Sequence, residues 1–190
     1  MGSQKVLLPY GGTTVVEHIA HVLEEGGVDQ VIVVTGHEGQ RVASALVNSR
    51  AKIAFNEAYP TGMLSSVRCG IRSASADTQA FLIALGDQPS IPPAVIENLI
   101  TAFRSYASDS AIILVPTHGG RRGHPMLFSR HLCDQVLTRF DTEGLRGLLV
   151  ANPDLVQEIP MEHRSILCDM DYPGDYAKQL DALEKRGLSQ

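Results

Sequence analysis

The chain contains no tryptophan, no apolar stretch of 18 residues and only three cysteines among its 190 residues. Without a long apolar stretch, the sequence predicts no transmembrane helix. The cysteines are odd in number and scattered, at positions 69, 133 and 168, which is typical of reduced thiols in a cytoplasmic protein. The formal net charge of −5 argues against nucleic acid or an anionic membrane as a general partner.

Three common catalytic signatures are also missing. No run of residues matches the Walker phosphate loop, Gly-x-x-x-x-Gly-Lys-Ser/Thr, and no Gly-x-Ser-x-Gly nucleophile elbow occurs. The seven histidines and three cysteines show no zinc-ligand spacing. These absences disfavour P-loop NTPases, hydrolases with a serine elbow and zinc enzymes.

Helical and strand patterns alternate along the chain, which predicts one α/β domain with a mainly parallel sheet. Thr14 to Glu17 forms a capping box that opens the first helix, and Gly26-Gly27 ends it. Ser90, followed by Pro92-Pro93 in the first turn, opens another helix. Strands are predicted over 31–34, 53–55, 80–85, 111–115, 125–128, 155–159 and 165–167, and further helices over 38–47, 62–74, 133–140, 145–150 and from 173.

The most informative stretch is Ala80 to Pro89, an apolar run that stops at Gly86 and Asp87. An uninterrupted apolar run predicts a strand buried on both faces of a parallel sheet, and ligands bind where such strands end. Asp87 is therefore a candidate ligand for a hard divalent cation that carries phosphates. The alternative, a turn aspartate that caps the next helix, remains open from the pattern alone.

Six segments that span nearly the whole chain carry glycine, carboxylate or basic residues in a recognisable order. They are Met1-Gly2-Ser3-Gln4-Lys5, Val33 to Glu38, Asn56 to Val67, Leu85 to Pro89, Arg121 to Pro125 and Cys168 to Tyr176. Together they resemble the MobA-like nucleotidyltransferases, and most closely the molybdenum cofactor cytidylyltransferase branch. The Leu-Gly-Asp-Gln-Pro segment resembles the family's metal motif, and Gly123-His124-Pro125 its Gly-His-Pro loop.

This resemblance implies a Rossmann-like three-layer fold, a bound Mg²⁺ ion and CTP as co-substrate, with GTP used in the sister branch. It also implies molybdopterin cofactor as the acceptor and allows a molybdenum hydroxylase as a client. The implied reaction is attack of the acceptor phosphate on the α-phosphate of the triphosphate, which releases pyrophosphate. Most catalysis of such transfers comes from charge neutralisation and in-line positioning.

The resemblance also implies roles for individual residues. Lys5 and Gly2 would bind the triphosphate, and Asp87 would bind the metal. Either Asp169 or Asp171 would complete the metal site, because only one of these two side chains is expected to face inward. Asp169 is preferred. Lys5 and Asp87 are the predicted catalytic residues. The predicted nucleotide and acceptor contacts are Asn56, Gly62, Ser65, Ser66, Arg122, His124 and Arg146.

Structural interpretations of these residues remain open. Lys5 alone reads as a solvated lysine, Ser65 and Ser66 read as ordinary helix caps, and the loop around Arg122 reads as a solvated basic loop. Asp141 lies one residue away from the family's acidic position before Gly144, which leaves no role for it.

The opening segment matches only the tail of the family's Leu-Ala-Ala-Gly-x-Ser-x-Arg-Met-Gly-x-x-Lys. We therefore expect the sheet to lack its first strand, with the edges of neighbouring strands exposed, lower solubility and little activity. An initiation site misassigned to an internal methionine is our preferred explanation. A cut chain and a genuinely short form are the other two.

Two alternative functions follow. The chain could be a non-catalytic carrier or maturation factor for molybdenum cofactor, retaining the Gly-His-Pro loop without the nucleotide loop. It could also be a nucleotidyltransferase that uses GTP or another phosphate acceptor.

Overall fold

The larger strands of the sheet run mostly in one direction. The structure, a computed structural model, describes residues 5–106 and 109–187. Its strands are β1 (Pro9–Tyr10), β2 (Thr13–Thr14), β3 (Ile32–Thr35), β4 (Lys52–Phe55), β5 (Ala80–Ile83), β6 (Ile113–His118), β7 (Arg121–Arg122), β8 (Met126–Ser129) and β9 (Val156–Pro160). Its helices are α1 (Val15–Glu25), α2 (Gly39–Ala45), α3 (Met63–Ser73), α4 (Pro93–Arg104), α5 (Cys133–Thr138), α6 (Leu145–Ala151) and α7 (Pro173–Gly187).

Strand pairing fixes these directions. β3 pairs in parallel with β4, and β6 in parallel with β9. β8 is antiparallel to both β5 and β6, so β5 and β6 share a direction. Ser75, before β5, donates its backbone N–H to the side-chain Oε1 of Gln30, before β3, at 3.2 Å, so these two strands begin at the same edge. The predicted α/β class with a mainly parallel sheet is therefore confirmed.

Helices cover both faces of the sheet because its strands are apolar on both sides. Leu114 and Leu127 pack on one face against α1 and α4, in a cluster that includes the fully buried Leu99. Ile113 and Phe128, their neighbours in the pleat, pack on the other face against α3, α5 and α6. The alternation of side chains along each strand thus divides one sheet between two cores and gives a three-layer domain.

The predicted limits of α1 are confirmed. Thr14 is the N-cap, and its Oγ1 accepts the backbone N–H of Glu17 at 3.4 Å. Gly26 is the C-cap. A Cβ at Gly26 would lie 2.4 Å from the Cβ of Ile96, so this glycine also permits the close approach of α1 to α4.

Two local predictions were wrong. Residues 165–167 form part of a 3₁₀ turn, Arg164–Leu167, rather than an edge strand, because Ile166 turns into the core and its carbonyl accepts the backbone N–H of His124. The helix predicted to open at Ser90 begins with Pro92 as its N-cap. Ser90 is instead buried before the helix.

A gap separates β3 from β5. In the described part of the chain, β3 pairs only with β4 and β5 only with β8. The expected burial of the Ala80 run on both faces is correspondingly incomplete, since every residue of β5 is only half-buried. A cavity of about 1440 Å³ lies along both strands. Across residues 5–106 and 109–187, no helix combines the length and apolar character needed to cross a bilayer.

The core between the sheet and α4 gives a direct test of the fold. Leu99 is 0% exposed, and Leu99→Ala should lower the free energy of unfolding by about 2–5 kcal/mol, because it removes buried carbons and leaves a cavity. Val150, which is 72% exposed, provides the control: Val150→Ala should change it by less than about 0.5 kcal/mol. Urea unfolding followed by circular dichroism would measure both. Equal effects of the two substitutions would contradict this packing.

Candidate active site

Asp87 lies in the turn that follows β5, at the carboxyl edge of the sheet. Its backbone carbonyl accepts the N–H of Met170 at 2.9 Å. Met170 is fully buried against Tyr10 and Val15, so this segment is anchored on both sides. The contact places a distant part of the chain, with two further carboxylates, beside the end of β5.

Those carboxylates belong to Asp169 and Asp171, which flank the buried Met170 and are themselves exposed. Gln88 donates its Nε2 to Asp169 Oδ1 at 2.5 Å, and Lys5 Nζ lies 2.9 Å from Asp171 Oδ1. Asp169 acts more strongly than Asp171 on the charge of Asp87, so the preference for Asp169 as the second metal ligand stays a prediction. Both carboxylates act on the charge of Asp87.

The environment of Asp87 disfavours its ionised form. Burial raises the pKa of its carboxyl above the ordinary value of 3.8, and the negative charge of Asp169 raises it further. Lys5 opposes this shift without cancelling it. The ionised site therefore holds unneutralised negative charge, which favours the arrival of a cation.

His124 lies within electrostatic range of Asp87 and Asp169. Burial lowers its pKa below 6.5, although Asp169 and Asp87 both act to raise it, so the imidazole is mainly neutral at pH 7. The backbone is held tightly here: His124 N donates to Ile166 O at 3.1 Å, and a Cβ at Gly123 would lie 2.3 Å from that same oxygen. Glycine is therefore required next to the histidine.

A second group of predicted residues meets at the start of α3. Asn56, 6% exposed, donates its Nδ2 to Ser65 Oγ at 2.8 Å and to Ser66 Oγ at 3.1 Å. Its Oδ1 accepts the backbone N–H of Ala58 at 3.1 Å. Gly62, with φ of 114°, is the N-cap of α3 and adopts a conformation that favours glycine. Because both amide hydrogens of Asn56 are used, its observed role is to join β4 to α3.

The remaining predicted residues have other surroundings. Arg122 Nε donates to Glu158 Oε1 at 2.8 Å on the exposed surface of the β7 hairpin. Arg146 is exposed on α6, and Asp141 forms an ion pair with Arg68 at 2.6 Å. Gly2 lies outside the described residues.

The sequence pattern does not reveal two contributors to this arrangement. The pattern places Gln88 in a turn, whereas its side chain also orients Asp169. The pattern favours Asp169 over Asp171, whereas Asp171 binds Lys5 across 166 residues of sequence. A polar residue directly after the key carboxylate is a signal that could have identified Gln88. No local signal pairs Lys5 with Asp171.

Thiol chemistry is not indicated at this site. All three cysteines are free and half-buried. Burial raises the pKa of the Cys133 thiol to about 11, so it is protonated near neutral pH. Its position agrees with a small apolar side chain in the core.

The donor set fits a magnesium ion that arrives with phosphates. Asp87 and Asp169 offer carboxylate oxygens, the ligands that Mg²⁺ prefers, and Mg²⁺ is commonly held by one or two carboxylates together with substrate phosphates. Within the described ranges, no group of three or more histidine, cysteine or acidic side chains could hold a metal by itself. The buried Gln88 Oε1 also lacks a partner there, and water on a hydrated cation could donate to it.

Comparisons with known proteins agree with this arrangement. A family model described as MobA-like NTP transferase domain matches residues 1–156. The molybdenum cofactor cytidylyltransferase of Escherichia coli (strain K12) is 28% identical over 178 residues, which cover 93% of this chain and 86% of that protein. Nicotine blue oxidoreductase of Paenarthrobacter nicotinovorans is 32% identical over 176 residues, which cover 88% of this chain and 83% of that protein.

A solved structure shows the same fold. The manganese complex of Rv0371c from Mycobacterium tuberculosis H37Rv superposes with a TM-score of 0.80 at 26% identity. The match covers 95% of this chain and 93% of that one.

The coupling between the two carboxylates can be measured without any ligand. Asp169→Asn should lower the pKa of the Asp87 carboxyl towards its ordinary value, because a repulsive charge is removed while burial remains. Carbon-13 NMR titration of the aspartate carboxyls would follow it. Asp154→Asn, at an exposed position before β9 and therefore at the opposite edge of the sheet, should leave it unchanged. An unchanged pKa in Asp169→Asn would refute the coupling.

Proposed function

The chain belongs to the MobA-like NTP transferase family, and from this premise we propose that it transfers CMP from CTP to the phosphate of molybdopterin cofactor. Nucleotidyl transfer is the activity that the family supports. The cytidylyl donor and the molybdopterin acceptor are suggested by the relative from Escherichia coli, which aligns with 93% of this chain.

One observation carries the proposal: Asp87 and Asp169 lie together at the carboxyl edge of the sheet, with Lys5 beside them. A triphosphate brings several negative charges, and a divalent cation neutralises part of this charge and polarises the reacting phosphate. The raised pKa of Asp87 supports such a role, because binding of a cation relieves the repulsion that raises it. The manganese complex reported for Rv0371c is consistent with a divalent cation in a related protein.

In this proposal, Asp87 and Asp169 bind the magnesium ion. Gln88 keeps one oxygen of Asp169 oriented through its 2.5 Å hydrogen bond. Lys5 would release Asp171 and bind a triphosphate oxygen instead. This exchange costs little, because the ion pair is partly exposed and such pairs contribute about 0–1 kcal/mol.

The proposed transfer needs no covalent bond between the substrate and the protein. An oxygen of the acceptor phosphate attacks the α-phosphorus of CTP, the bond from that phosphorus to the bridging oxygen breaks, and pyrophosphate leaves. The chain's own residues hold the two anions in line. His124, neutral at pH 7, would donate a hydrogen bond to the acceptor. Arg122 and Arg146 would bind the phosphate of the acceptor. Asn56, Gly62, Ser65 and Ser66 would shape the nucleoside side of the site.

A redox function is the second candidate. It is favoured by one observation: a relative at 32% identity is named as an oxidoreductase. Hydride transfer requires a nucleotide cofactor but no paired carboxylates for a metal. An assay of nicotine blue reduction with NADH or NADPH would separate the two functions. The non-catalytic carrier is not favoured by these relatives.

The nucleotide and the acceptor can be tested together. Purified protein with Mg²⁺ and molybdopterin cofactor would be supplied in turn with CTP, GTP, ATP or UTP, and pyrophosphate and product mass measured. We expect release with CTP and a product heavier than the cofactor by one CMP unit. Release only with GTP, or only with a different phosphate acceptor, would replace the proposed substrates but retain the reaction.

The carboxylate at the end of β5 gives the sharpest catalytic prediction. Asp87→Asn should reduce the rate of pyrophosphate release by at least about 100-fold, because a metal ligand loses its charge. The isosteric amide keeps the turn, so the melting temperature should not fall. Asp154→Asn, distant from the site, should retain full activity. An active Asp87→Asn protein would contradict the assignment.

A further inference from the structure

The guanidinium of Arg68, on α3, binds three atoms of one distant segment of the chain. Its Nε donates to the carbonyl of Val136 at 2.9 Å, and its Nη2 donates to that of Arg139 at 2.7 Å. Its Nη1 donates to Asp141 Oδ1 at 2.6 Å. Only 17% of the Arg68 side chain is exposed, against 75% of Asp141. Arg68 thus ties α3 to the end of α5 and to the residues that follow α5.

Those residues form the loop 139–144, which leads from α5 to α6 and which we call the α5–α6 loop. Phe140 has a φ of 72°, in the left-handed region that non-glycine residues rarely adopt. Its carbonyl accepts the N–H of Gly144 at 2.8 Å. A Cβ at Gly147 would lie 2.5 Å from the Phe140 ring, so this ring packs directly on the backbone of α6. Such a conformation persists only where the surrounding contacts hold it.

The α5–α6 loop determines where α6 begins. Gly144 is the N-cap of this helix, and Arg146 is its second residue. Leu145 and Gly147, on either side of Arg146, are buried, whereas Arg146 itself is exposed. The backbone of Arg146 is therefore fixed by the core and by the preceding loop, and its side chain is directed to the surface.

The helix that carries Arg68 also carries two of the proposed nucleoside contacts. Ser65 and Ser66, less than one turn before Arg68, accept hydrogen bonds from the side chain of Asn56. One helix therefore joins the nucleoside side of the site to the loop that places Arg146. The relative position of the two sides depends on the contacts of Arg68.

We propose that Arg68 is a positioning residue for the acceptor: it holds the α5–α6 loop so that Arg146 can bind the acceptor phosphate. This inference rests on the proposed function, in which Arg146 makes that contact. A planar guanidinium offers its donors in a fixed fork, whereas the single ammonium of lysine cannot hold all three partners in the same geometry. Without the fork, Phe140 would leave its left-handed conformation and the start of α6 would shift. A misplaced Arg146 would bind the acceptor more weakly.

Arg68→Lys tests this proposal, because it keeps the positive charge and removes the fork. Arg72→Lys, one turn further along α3 and exposed, is the matched control. In Arg68→Lys, the KM for molybdopterin cofactor should rise by at least about 10-fold, because a phosphate contact is misplaced. The KM for CTP and kcat should change by less than about 3-fold, and Arg72→Lys should change none of the three. An equal rise of both KM values, or an unchanged KM for the cofactor, would overturn the proposal.

A double-mutant cycle tests whether Arg68 acts through Arg146. If it does, Arg68→Lys should have little further effect on the KM for the cofactor once Arg146→Ala is present, because the contact that it positions is already gone. Full additivity of the two effects would contradict this role. Asp141→Asn, at an exposed position, removes one partner of Arg68 without threatening the fold. It should raise the same KM by about 3-fold, and an unchanged KM would count against the proposal.

Amide hydrogen exchange tests the structural step without catalysis. Exchange at Gly144, whose N–H is bound by Phe140, should become at least about 10-fold faster in Arg68→Lys. Exchange at Leu114, buried in β6, reports global unfolding and should not change. Unchanged exchange at Gly144, or equal acceleration at both amides, would overturn the proposal.

Failure of the proposed function can be distinguished from failure of this inference. If the wild-type protein releases no pyrophosphate with any nucleotide, the proposed reaction is wrong. Calorimetric titration of the wild-type and Arg68→Lys proteins with molybdopterin cofactor then tests the positioning role directly. Weaker binding by Arg68→Lys would support this role. Equal binding by the two proteins, or binding by neither, would overturn it.

Discussion

The hydrogen bond from Met170 N to Asp87 O is the contact on which the site depends. A single backbone hydrogen bond contributes only about 0.5–1.5 kcal/mol, but here it acts together with the complete burial of Met170. The two contacts fix Asp169 and Asp171 on the side of the chain that faces Asp87. Without them, Asp87 would be a single carboxylate in the loop after β5, and it would not interact electrostatically with Asp169 and Asp171.

The three aspartates interact electrostatically, but each has different surroundings and therefore a different role. Asp87 is the most buried of the three acids and resists ionisation, Asp169 is oriented by Gln88, and Asp171 holds Lys5. A cation that binds here therefore contacts the oriented carboxylate of Asp169 and stabilises the ionised form of Asp87. The exposed Lys5–Asp171 pair can open for a phosphate at small cost.

The two halves of the sheet differ in how well they are held. β6 is paired on both sides, and its residues from Ile113 to Thr117 are buried. Among the residues that the structure describes, β3 and β5 each pair on one side only, and most of their residues are only half-buried. The candidate site therefore lies where a complete half of the sheet meets an incomplete one.

Local chemistry was sufficient to predict the elements that depend on local contacts. The Thr14 cap, the apolar strands and the glycines at the end of α1 act over a few residues, so their signals lie in short stretches of sequence. Asp87 could be selected as a candidate metal ligand from the sequence, because a carboxylate directly after an apolar run stands out in the pattern, and this role stays a prediction. The 3₁₀ turn at residues 164–167 was missed because burial of Ile166 and its contact with His124 outweighed the strand propensity of a short segment.

Short stretches of sequence were enough to give the α/β class, the place of Asp87 after an apolar strand and the polar residues available to the site. Which of these residues meet became visible only in the folded chain: Lys5 with Asp171, Gln88 with Asp169, and Asn56 with the two serines of α3. The physical reason is that hydrogen bonds and charges act over a few ångströms, whereas these partners are as far as 166 residues apart. Only the packing of the folded chain brings residues so far apart in sequence into contact.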